Sequence, residues 1–215
     1  MLKIMMNIIR KSICSVMAAV TLSACVVVPS ALNMKDSKIS VVTSMDAEAA
    51  FEPFYATVTV TGTSLNSRPN GGYKAKLWAF TPMYVIDETR VGRNYYYKVQ
   101  TPEGEGWVNG RSVDRCTKVE YDIRIDFING RRYVFGTDRK GIVYRESPRV
   151  DAKVSGSIGF TRIAQIERIW PTGSDGIVWG QLTNGGFLQL SDKNGRRAIS
   201  LLTKAQADRL REQYY

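Results

Sequence analysis

The sequence predicts a mainly β protein built from short strands, with a short helix at its C-terminal end. From residue 56 onward, apolar and polar residues alternate over short runs. Turn-forming Gly, Pro and Asn residues interrupt these runs about every ten residues, a spacing typical of small barrels. Apolar residues make up 44% of the chain and charged residues 23%, which is ordinary for a globular protein.

The first 25 residues have the pattern of an export signal. Lys3, Arg10 and Lys11 form a positive leader, and an uncharged, mostly apolar run of 13 residues follows from Ser12 to Ala24. This run is too short to cross a bilayer as a helix, which takes about 20 residues, but it suits a signal peptide. An N-terminal membrane anchor and a buried helix are the alternative interpretations.

The leader ends in Leu22-Ser23-Ala24-Cys25, which resembles the cleavage motif of bacterial lipoproteins. The resemblance implies cleavage between Ala24 and Cys25, a thioether-linked lipid on Cys25 and an acyl chain such as palmitate on the new amino group. Several acyl chains form a practically permanent anchor, because each buried methylene contributes about 0.8 kcal/mol. Val26 stands where inner-membrane lipoproteins often have Asp, so the resemblance implies the outer membrane, facing the periplasm.

Residues 25–55 are interpreted as a flexible, lipidated tether. They mix Ser, Asn, Lys and Asp with short apolar pieces and show no sustained period. A helical turn near Asp46–Phe51 and a strand within Ile39–Thr43 are local alternatives. A coil of this length spans roughly 30 Å, enough to separate a folded part from a membrane surface.

The alternation begins at Ala56. Val58 and Val60 share one face of a half-buried strand that Gly62 ends. Residues Leu65–Gly72 are rich in turn formers and are interpreted as a loop. Further strands are expected at Leu77–Phe80, Met83–Asp87, Tyr95–Val99 and Trp107-Val108.

Three segments of this region resemble bacterial Src-homology-3-type (SH3-like) domains. They are Leu65-Asn66-Ser67-Arg68, Tyr97-Lys98-Val99 and Gly106-Trp107-Val108. The resemblance covers about residues 56–115 and departs at Ser67, where the family has a branched residue. It implies a small β-barrel that binds short peptides, often from the cell wall, in a groove lined by aromatic residues.

A second, looser copy follows the first. Ile142-Val143-Tyr144-Arg145 lies 77 residues after Leu65-Asn66-Ser67-Arg68, and Gly186-Phe187-Leu188 takes the place of Gly106-Trp107-Val108. Val143 thereby replaces Asn66, and chance similarity between two β segments is the alternative. Further strands are expected around Val154 and Ile158, and at Ile163–Ile169, Val178–Leu182 and Phe187–Leu190. The predicted fold class is thus mainly β with two SH3-like barrels in tandem.

Two further elements complete the prediction. Lys118–Phe127 alternates strictly and predicts an amphipathic strand, which Asn129-Gly130 would turn into a hairpin. Ser200–Tyr215 predicts a helix capped by Ser200 or Thr203, with Leu201, Leu202, Ala205 and Leu210 on its packed side. The predicted organisation is a signal peptide at 1–24, a tether at 25–55, a first barrel at 56–116, a connecting hairpin with a second barrel at 117–195 and a helix at 196–215.

Charge and composition narrow the function. Without residues 1–24 the chain has 27 basic and 20 acidic residues, a net charge of +7. A basic surface attracts polyanions, and in the envelope these are lipid head groups and cell-wall carboxylates rather than nucleic acid. With Cys14 removed and Cys25 lipidated, only Cys116 remains, so neither an intramolecular disulfide nor a zinc site is expected. No cofactor motif is recognisable in the sequence.

Enzymatic activity finds little support in the sequence. The chain has no histidine, the commonest general base. Cys116 lies beside Arg115 and Lys118, which would lower its pKa, but no base accompanies it. Asp122 and Asp126 are candidates for a glycosidase pair, yet on the predicted strand they share the solvated face. No catalytic residue is therefore assigned.

Aromatic and basic residues are the candidates for ligand binding. Successive residues of a strand face opposite sides, so Tyr95, Tyr96 and Tyr97 cannot all be core residues. Exposed aromatic rings form rigid, amphipathic contact surfaces, and arginines pair with carboxylates. The predicted ligand-binding residues are Arg68, Tyr73, Tyr95, Tyr96, Tyr97, Trp107, Tyr144, Arg145 and Trp179.

These observations predict a lipid-anchored, non-enzymatic adaptor of the cell envelope. Its expected ligands are peptidoglycan stem peptides or an envelope protein. A structural outer-membrane lipoprotein subunit of a secretion or conjugation apparatus is the alternative. A cell-wall hydrolase is the third and least supported hypothesis.

Overall fold

The computed structural model describes residues 51–173 and 175–215, which form two antiparallel β-sheets and two α-helices. The predicted signal peptide, Cys25 and most of the tether, with its local alternatives, lie outside these residues. The prediction of a mainly β chain is confirmed. None of the helices in the described part of the chain is long and apolar enough to span a membrane.

The first sheet has seven strands in the order β3-β2-β6-β5-β4-β1-β7. Every neighbouring pair in it is antiparallel. Its strands are β1 Phe54–Val58, β2 Thr63–Arg68, β3 Gly71–Leu77, β4 Pro82–Val91, β5 Asn94–Thr101, β6 Gly104–Asn109 and β7 Val113–Arg115.

Apolar side chains from these strands form the core of the first sheet. This core consists of Ala56, Val58, Leu65, Leu77, Met83, Val85, Val99 and Val108. The alternation predicted for β1 places Ala56 and Val58 inside, but the strand ends there. Val60 is 58% exposed, because the chain turns back through Gly62 at a φ of +94°.

Two predictions in this sheet were wrong. Leu65–Gly72 is not a loop but most of a β-hairpin, in which only Pro69 and Asn70 lie between β2 and β3. Asn70 adopts a φ of +58°, a conformation that Asn tolerates better than most residues, so a tight turn suffices. Leu77–Phe80 is not a strand, because β3 ends at Leu77 and Trp78–Thr81 close a turn through a 3.1 Å backbone hydrogen bond.

The second sheet repeats the strand order of the first. Its order is β10-β9-β13-β12-β11-β8, so its six strands follow each other in space as β1–β6 do. The strands are β8 Tyr133–Phe135, β9 Ile142–Arg145, β10 Val154–Ile158, β11 Ile163–Ile169, β12 Trp179–Leu182 and β13 Phe187–Gln189.

The bridges between strands correct the alignment of the two copies. Asn66 pairs with Trp107 in the first sheet, and Arg145 pairs with Phe187 in the second. The structural counterpart of Asn66 is therefore Arg145 rather than Val143. The sequence alignment was two residues out of register, a shift that preserves the inward and outward alternation of a strand and is therefore invisible in the pattern.

The predicted strand at Lys118–Phe127 is an α-helix, α1, spanning Lys118–Ile128. Strict alternation was misleading because it also puts Val119, Ile123 and Phe127 at four-residue intervals, on one side of a helix. Thr117 caps the helix by accepting a hydrogen bond from the backbone N–H of Glu120. Asn129-Gly130 is not a hairpin turn. It ends α1, with Gly130 at a φ of +79°.

Helix α1 packs against both sheets. Ile123 is fully buried in the core of the second sheet. On the first sheet, the ring of Tyr121 lies 4.9 Å from that of Tyr55, which in turn lies 5.0 Å from Tyr84. The helix therefore connects the two sheets through its own side chains.

The predicted C-terminal helix is present as α2, Lys204–Tyr214. Thr203 and Gln206 form a reciprocal capping box at its start. Of the two predicted caps, Ser200 and Thr203, the structure therefore has Thr203. Ala207, rather than Ala205, is the buried residue of the helix. Leu202 precedes α2 and pairs with Tyr133 at the edge of the second sheet.

A glycine fixes the contact between β2 and β6. A Cβ atom at Gly106 would lie 2.6 Å from the backbone oxygen of Asn66 and 2.8 Å from Leu65 Cδ1. In the second sheet, a Cβ at Gly186 would lie 2.4 Å from the ring of Tyr144. The glycine of each Gly-aromatic pair thus leaves room for a neighbouring strand. Gly106 accommodates the backbone of β2, and Gly186 accommodates the ring of Tyr144 from β9.

Replacing Gly106 by Ala is expected to lower the free energy of unfolding by about 2–3 kcal/mol, through overpacking. Gly159→Ala is the matched control, since its Cβ would meet only Arg162 Cγ, at an ordinary 3.5 Å. Urea unfolding followed by tryptophan fluorescence measures both variants. Equal stability of the two would contradict the close packing of β2 on β6.

Candidate functional site

A cleft of about 560 Å³ lies between the turn after β3 and the ends of α1 and β11. Its walls are mostly apolar, with Trp78 and Phe80 from the turn, Phe127 and Ile128 from α1, and Trp170 just after β11. Pockets of this size with aromatic walls and a few polar groups are typical ligand sites. We refer to it as the aromatic cleft.

The apolar walls of the aromatic cleft remain open to solvent. Trp78 is 62% exposed, Ile128 47% and Phe80 39%. Single exposed apolar residues are common on proteins, but several that converge on one concave surface indicate a binding site. The aromatic cleft therefore has the properties of a site that is covered when a partner binds.

Phe80 is held in the aromatic cleft by a strained backbone. Its φ of +65° is unfavourable for a bulky residue and costs on the order of 1–3 kcal/mol. Its N–H donates to the carbonyl of Val58 at 2.7 Å, and the neighbouring Ala79 N–H donates to Thr61 Oγ1 at 3.2 Å. These bonds fix the turn, so the ring is positioned before any ligand arrives.

Two arginines border the aromatic cleft, and their charges differ in availability. Arg124 is buried and pairs with Glu120 at 2.7 Å, so its charge is neutralised within α1. Arg168 is exposed, and its guanidinium lies 4.4 Å from the ring centre of Trp170. Arg168 donates to Gln181 and has no carboxylate partner among the described residues. It is thus a cation available to an acidic group of a ligand.

Three of the residues predicted from the sequence to bind a ligand lie together on a different surface, on the first sheet. Asn66 lies directly opposite Trp107 on one side and Tyr73 on the other, so these three side chains share the outer face. Tyr73 is 67% exposed and Trp107 half-buried. Arg68 is exposed at the end of the same hairpin. This outer face brings three of the nine predicted residues together.

The three consecutive tyrosines have three different environments. Tyr95 is 51% exposed, and the guanidinium of Arg90 lies 5.4 Å from its ring centre. Tyr96 is buried, and its hydroxyl donates to Asn70 Oδ1 at 3.0 Å. Tyr97 packs edge-on against Phe54 beside the core. Only Tyr95 therefore presents most of its ring to solvent.

The predicted residues of the second copy lie mainly inside it. Trp179 is 2% exposed and packs with Ile177 and Phe187 in a small core. Tyr144 packs against the main core of the second sheet. Arg145 donates to the backbone oxygen of Ala152 at 2.6 Å, which holds the loop after β9. We interpret all three as structural residues.

None of the nine predicted residues lines the aromatic cleft. Trp78 and Phe80 were assigned to a strand, and their exposure depends on the turn that replaces it. Trp170 lies in the other copy, and no sequence period connects it to Trp78. One sequence signal could have identified this turn. Trp78 and Phe80 directly precede Thr81-Pro82, and a proline at this place is more typical of a turn than of a continuing strand.

The candidate catalytic side chains have other environments. Asp122 pairs with Lys118 at 2.6 Å, and Asp126 pairs with Arg131 and Arg197. Burial, followed by the nearby Glu120 carboxylate, raises the pKa of Cys116 to about 12. The expectation that its basic neighbours lower this pKa was wrong, since desolvation of the thiolate dominates. Among the described residues, no three Cys, Asp or Glu side chains form a metal-binding cluster.

In comparisons with known proteins, no family model and no curated protein sequence matches this chain.

Cys116 is expected to react slowly with iodoacetamide in the folded protein, because the thiolate is the reactive form. In a variant that begins at residue 26, Cys116 is the only cysteine. At pH 8 its alkylation, followed by mass spectrometry, should be roughly 100-fold or more slower than in concentrated urea. Similar rates in both conditions would show that the thiol is neither buried nor high in pKa.

Proposed function

We propose that this chain is a lipid-anchored, non-enzymatic adaptor of the cell envelope that binds a segment of an envelope protein in the aromatic cleft. The segment presents an apolar or aromatic side chain to the walls and a carboxylate to Arg168. The openness of Trp78 and Phe80 in a preformed cleft is the observation that carries this proposal.

The chemistry of the aromatic cleft favours a protein segment over a peptidoglycan stem peptide. Four aromatic rings and Ile128 offer a large apolar surface, while Arg168 is the cation without a carboxylate partner in the described lining. Stem peptides carry mainly small and charged side chains, which would leave such walls uncovered. A buried aromatic anchor next to one charged pair is typical of protein interfaces.

The two sheets support the assignment of tandem SH3-like barrels. Both have the same spatial order of six strands. Both have a buried glycine at the equivalent strand contact. Gly106 packs against β2 in the first sheet, and Gly186 packs against Tyr144 of β9 in the second. Gly-Trp-Val in the first copy and Gly-Phe-Leu in the second therefore each begin with a glycine that close packing requires.

The environments of the reactive groups support the non-enzymatic part of the proposal. Cys116 is held as a neutral thiol at physiological pH, and the two aspartates of α1 are paired with basic side chains. The anchor follows from the leader and Cys25 alone.

A structural subunit of an envelope machine is the second candidate. Helix α1 packs against both sheets through Ile123 and Tyr121, an arrangement suited to a rigid building block. Native purification in mild detergent separates the two candidates. A stable large assembly with fixed stoichiometry would favour the machine subunit.

A photo-crosslinking residue at position 78 is expected to trap an envelope protein in living cells, whereas one at Phe160 is not. Phe160 is the matched control, because it is an aromatic residue of similar exposure, 50%, outside the aromatic cleft. In the partner pull-down, Trp78→Ala should reduce recovery about tenfold or more, as expected for an interface anchor. Equal crosslinking at both positions, or adducts with peptidoglycan peptides only, would contradict the proposal.

Lipidation is tested on the native protein by mass spectrometry. The expected N-terminal residue is Cys25 with a diacylglycerol thioether and an acylated amino group, and Cys25→Ser should abolish both the cleavage and the lipid. An intact Met1 with an unmodified thiol at position 25 would remove the anchor and the envelope location together.

A further inference from the structure

A second, polar pocket of about 380 Å³ lies on the outer face of the first sheet, near the β2–β3 turn. Every side chain that lines it is uncharged. The hydrogen-bonding side chains are those of Thr63, Ser64, Asn66, Asn70, Tyr96, Asn109 and Ser112. None of these residues belongs to the aromatic cleft. We refer to this site as the amide pocket.

The asparagines of the amide pocket have unused hydrogen-bonding capacity. Asn109 Oδ1 accepts a hydrogen bond from the backbone N–H of Arg111, and Asn70 Oδ1 accepts one from the Tyr96 hydroxyl. The side chain of Asn66 has no hydrogen bond within the described residues, and the Nδ2 groups of Asn70 and Asn109 donate to no described atom. Three amide groups therefore face one pocket with free donors.

These groups are held in place before a ligand binds. Tyr96 is 5% exposed, so the hydroxyl that orients Asn70 is itself fixed by packing. Asn109 is held by its bond to the turn at Gly110–Ser112. Asn66 is held where Gly106 lets β2 pack closely on β6. Preorganised polar groups bind a ligand with a smaller loss of conformational entropy.

Aromatic faces flank the central amide. Asn66 has Tyr73 opposite it on β3 and Trp107 opposite it on β6, and directly opposed residues have Cβ atoms about 4.5–5.5 Å apart. Beyond Trp107, Lys98 is neutralised by Glu105 at 2.9 Å. Tyr73, Asn66 and Trp107 therefore form a row across three strands, with the neutral amide of Asn66 between two amphipathic rings.

From this geometry we propose that the amide pocket, with Tyr73 and Trp107 beside it, binds an uncharged N-acetylated sugar unit of a glycan. A pyranose ring stacks its C–H face on an aromatic ring and directs its hydroxyls outward to amides. The acetamido group, with one donor and one acceptor, pairs with the carboxamide of Asn66. A deacetylated, protonated amino sugar should bind more weakly, because it lacks the acetamido carbonyl that the free amide donors would bind and the pocket lining has no carboxylate to pair with its charge. The proposal does not rest on the aromatic cleft.

The test uses the full-length protein in detergent and N-acetylglucosamine oligomers as the probe. Binding is followed by calorimetry, with glucosamine oligomers as the charged comparison. Saturable binding of the acetylated oligomer is expected, at least about tenfold tighter than that of the deacetylated one. Asn66→Ala and Tyr73→Ala should each weaken it about tenfold, as expected for one lost hydrogen-bonding or stacking contact.

Matched variants separate this site from the aromatic cleft. Tyr95→Ala removes a tyrosine of the same sheet with an exposure similar to that of Tyr73. Trp78→Ala removes one wall of the aromatic cleft. Both variants should bind the oligomer as tightly as the unmodified protein does. This expectation holds even if crosslinking at position 78 finds no partner for the aromatic cleft, because the two sites share no residue. No saturable binding, or equal weakening by Tyr95→Ala and Tyr73→Ala, would overturn the proposal. Retention on peptidoglycan stripped of its peptides, compared with retention on chitin, then identifies the source of the glycan.

Discussion

Arg124 connects three parts of the molecule through one buried side chain. It pairs with Glu120 inside α1 and donates to the backbone oxygen of Trp170 just after β11. Its guanidinium lies 5.2 Å from the ring centre of Phe80, in the turn between β3 and β4. A buried guanidinium without partners would be strongly destabilising, so these contacts are a condition of burying it. The aromatic cleft depends on this arrangement, because its walls belong to the same three elements.

The repeated strand order does not make the two copies equivalent. In the first sheet, Asn66 and Trp107 meet on a face that is open to solvent. In the second, their counterparts are Arg145 and Phe187. Arg145 holds a neighbouring loop, and Phe187 is 8% exposed within a small core. The same topology therefore places these positions on a solvent-exposed face in the first sheet and in a packed interior in the second. Function follows the side chains of a fold rather than its strand order.

The aromatic cleft and the amide pocket differ in chemistry, as the two separate ligands proposed for them require. The aromatic cleft is mostly apolar and has Arg168 and Glu103 as exposed charged residues, whereas the amide pocket is uncharged and rich in hydrogen-bond donors. An apolar protein segment would gain little from free amides, and a sugar would gain little from Ile128 and Phe127. A protein with both sites can hold an envelope protein near a glycan, while the proposed lipid on Cys25 keeps it near a membrane.

How far the sequence could predict each element depends on how local its cause is. Strand β11 was predicted with its bounds, Ile163–Ile169, because its apolar residues and flanking breaks lie within a few positions of each other. Helix α1 was missed because strict alternation over ten residues satisfies both a strand and a four-residue helical spacing. Thr117 immediately before the helix and Asn129-Gly130 immediately after it are residues typical of helix ends and would have distinguished the two. The buried states of Tyr96 and Trp179 depend on distant strands and could not be predicted from their neighbours.

The sequence by itself determined the strand-rich class, the two glycine-aromatic segments, a C-terminal helix with two candidate caps and the motif at Cys25, because each is encoded in adjacent residues. Only the tertiary structure decided which aromatics face solvent, how α1 joins the sheets and where the two pockets lie. A pocket is formed by residues such as Trp78 and Trp170 that are far apart in the chain. Their proximity results from packing around the buried Arg124, and the i, i+4 spacing of Glu120 and Arg124 in the sequence does not reveal that burial.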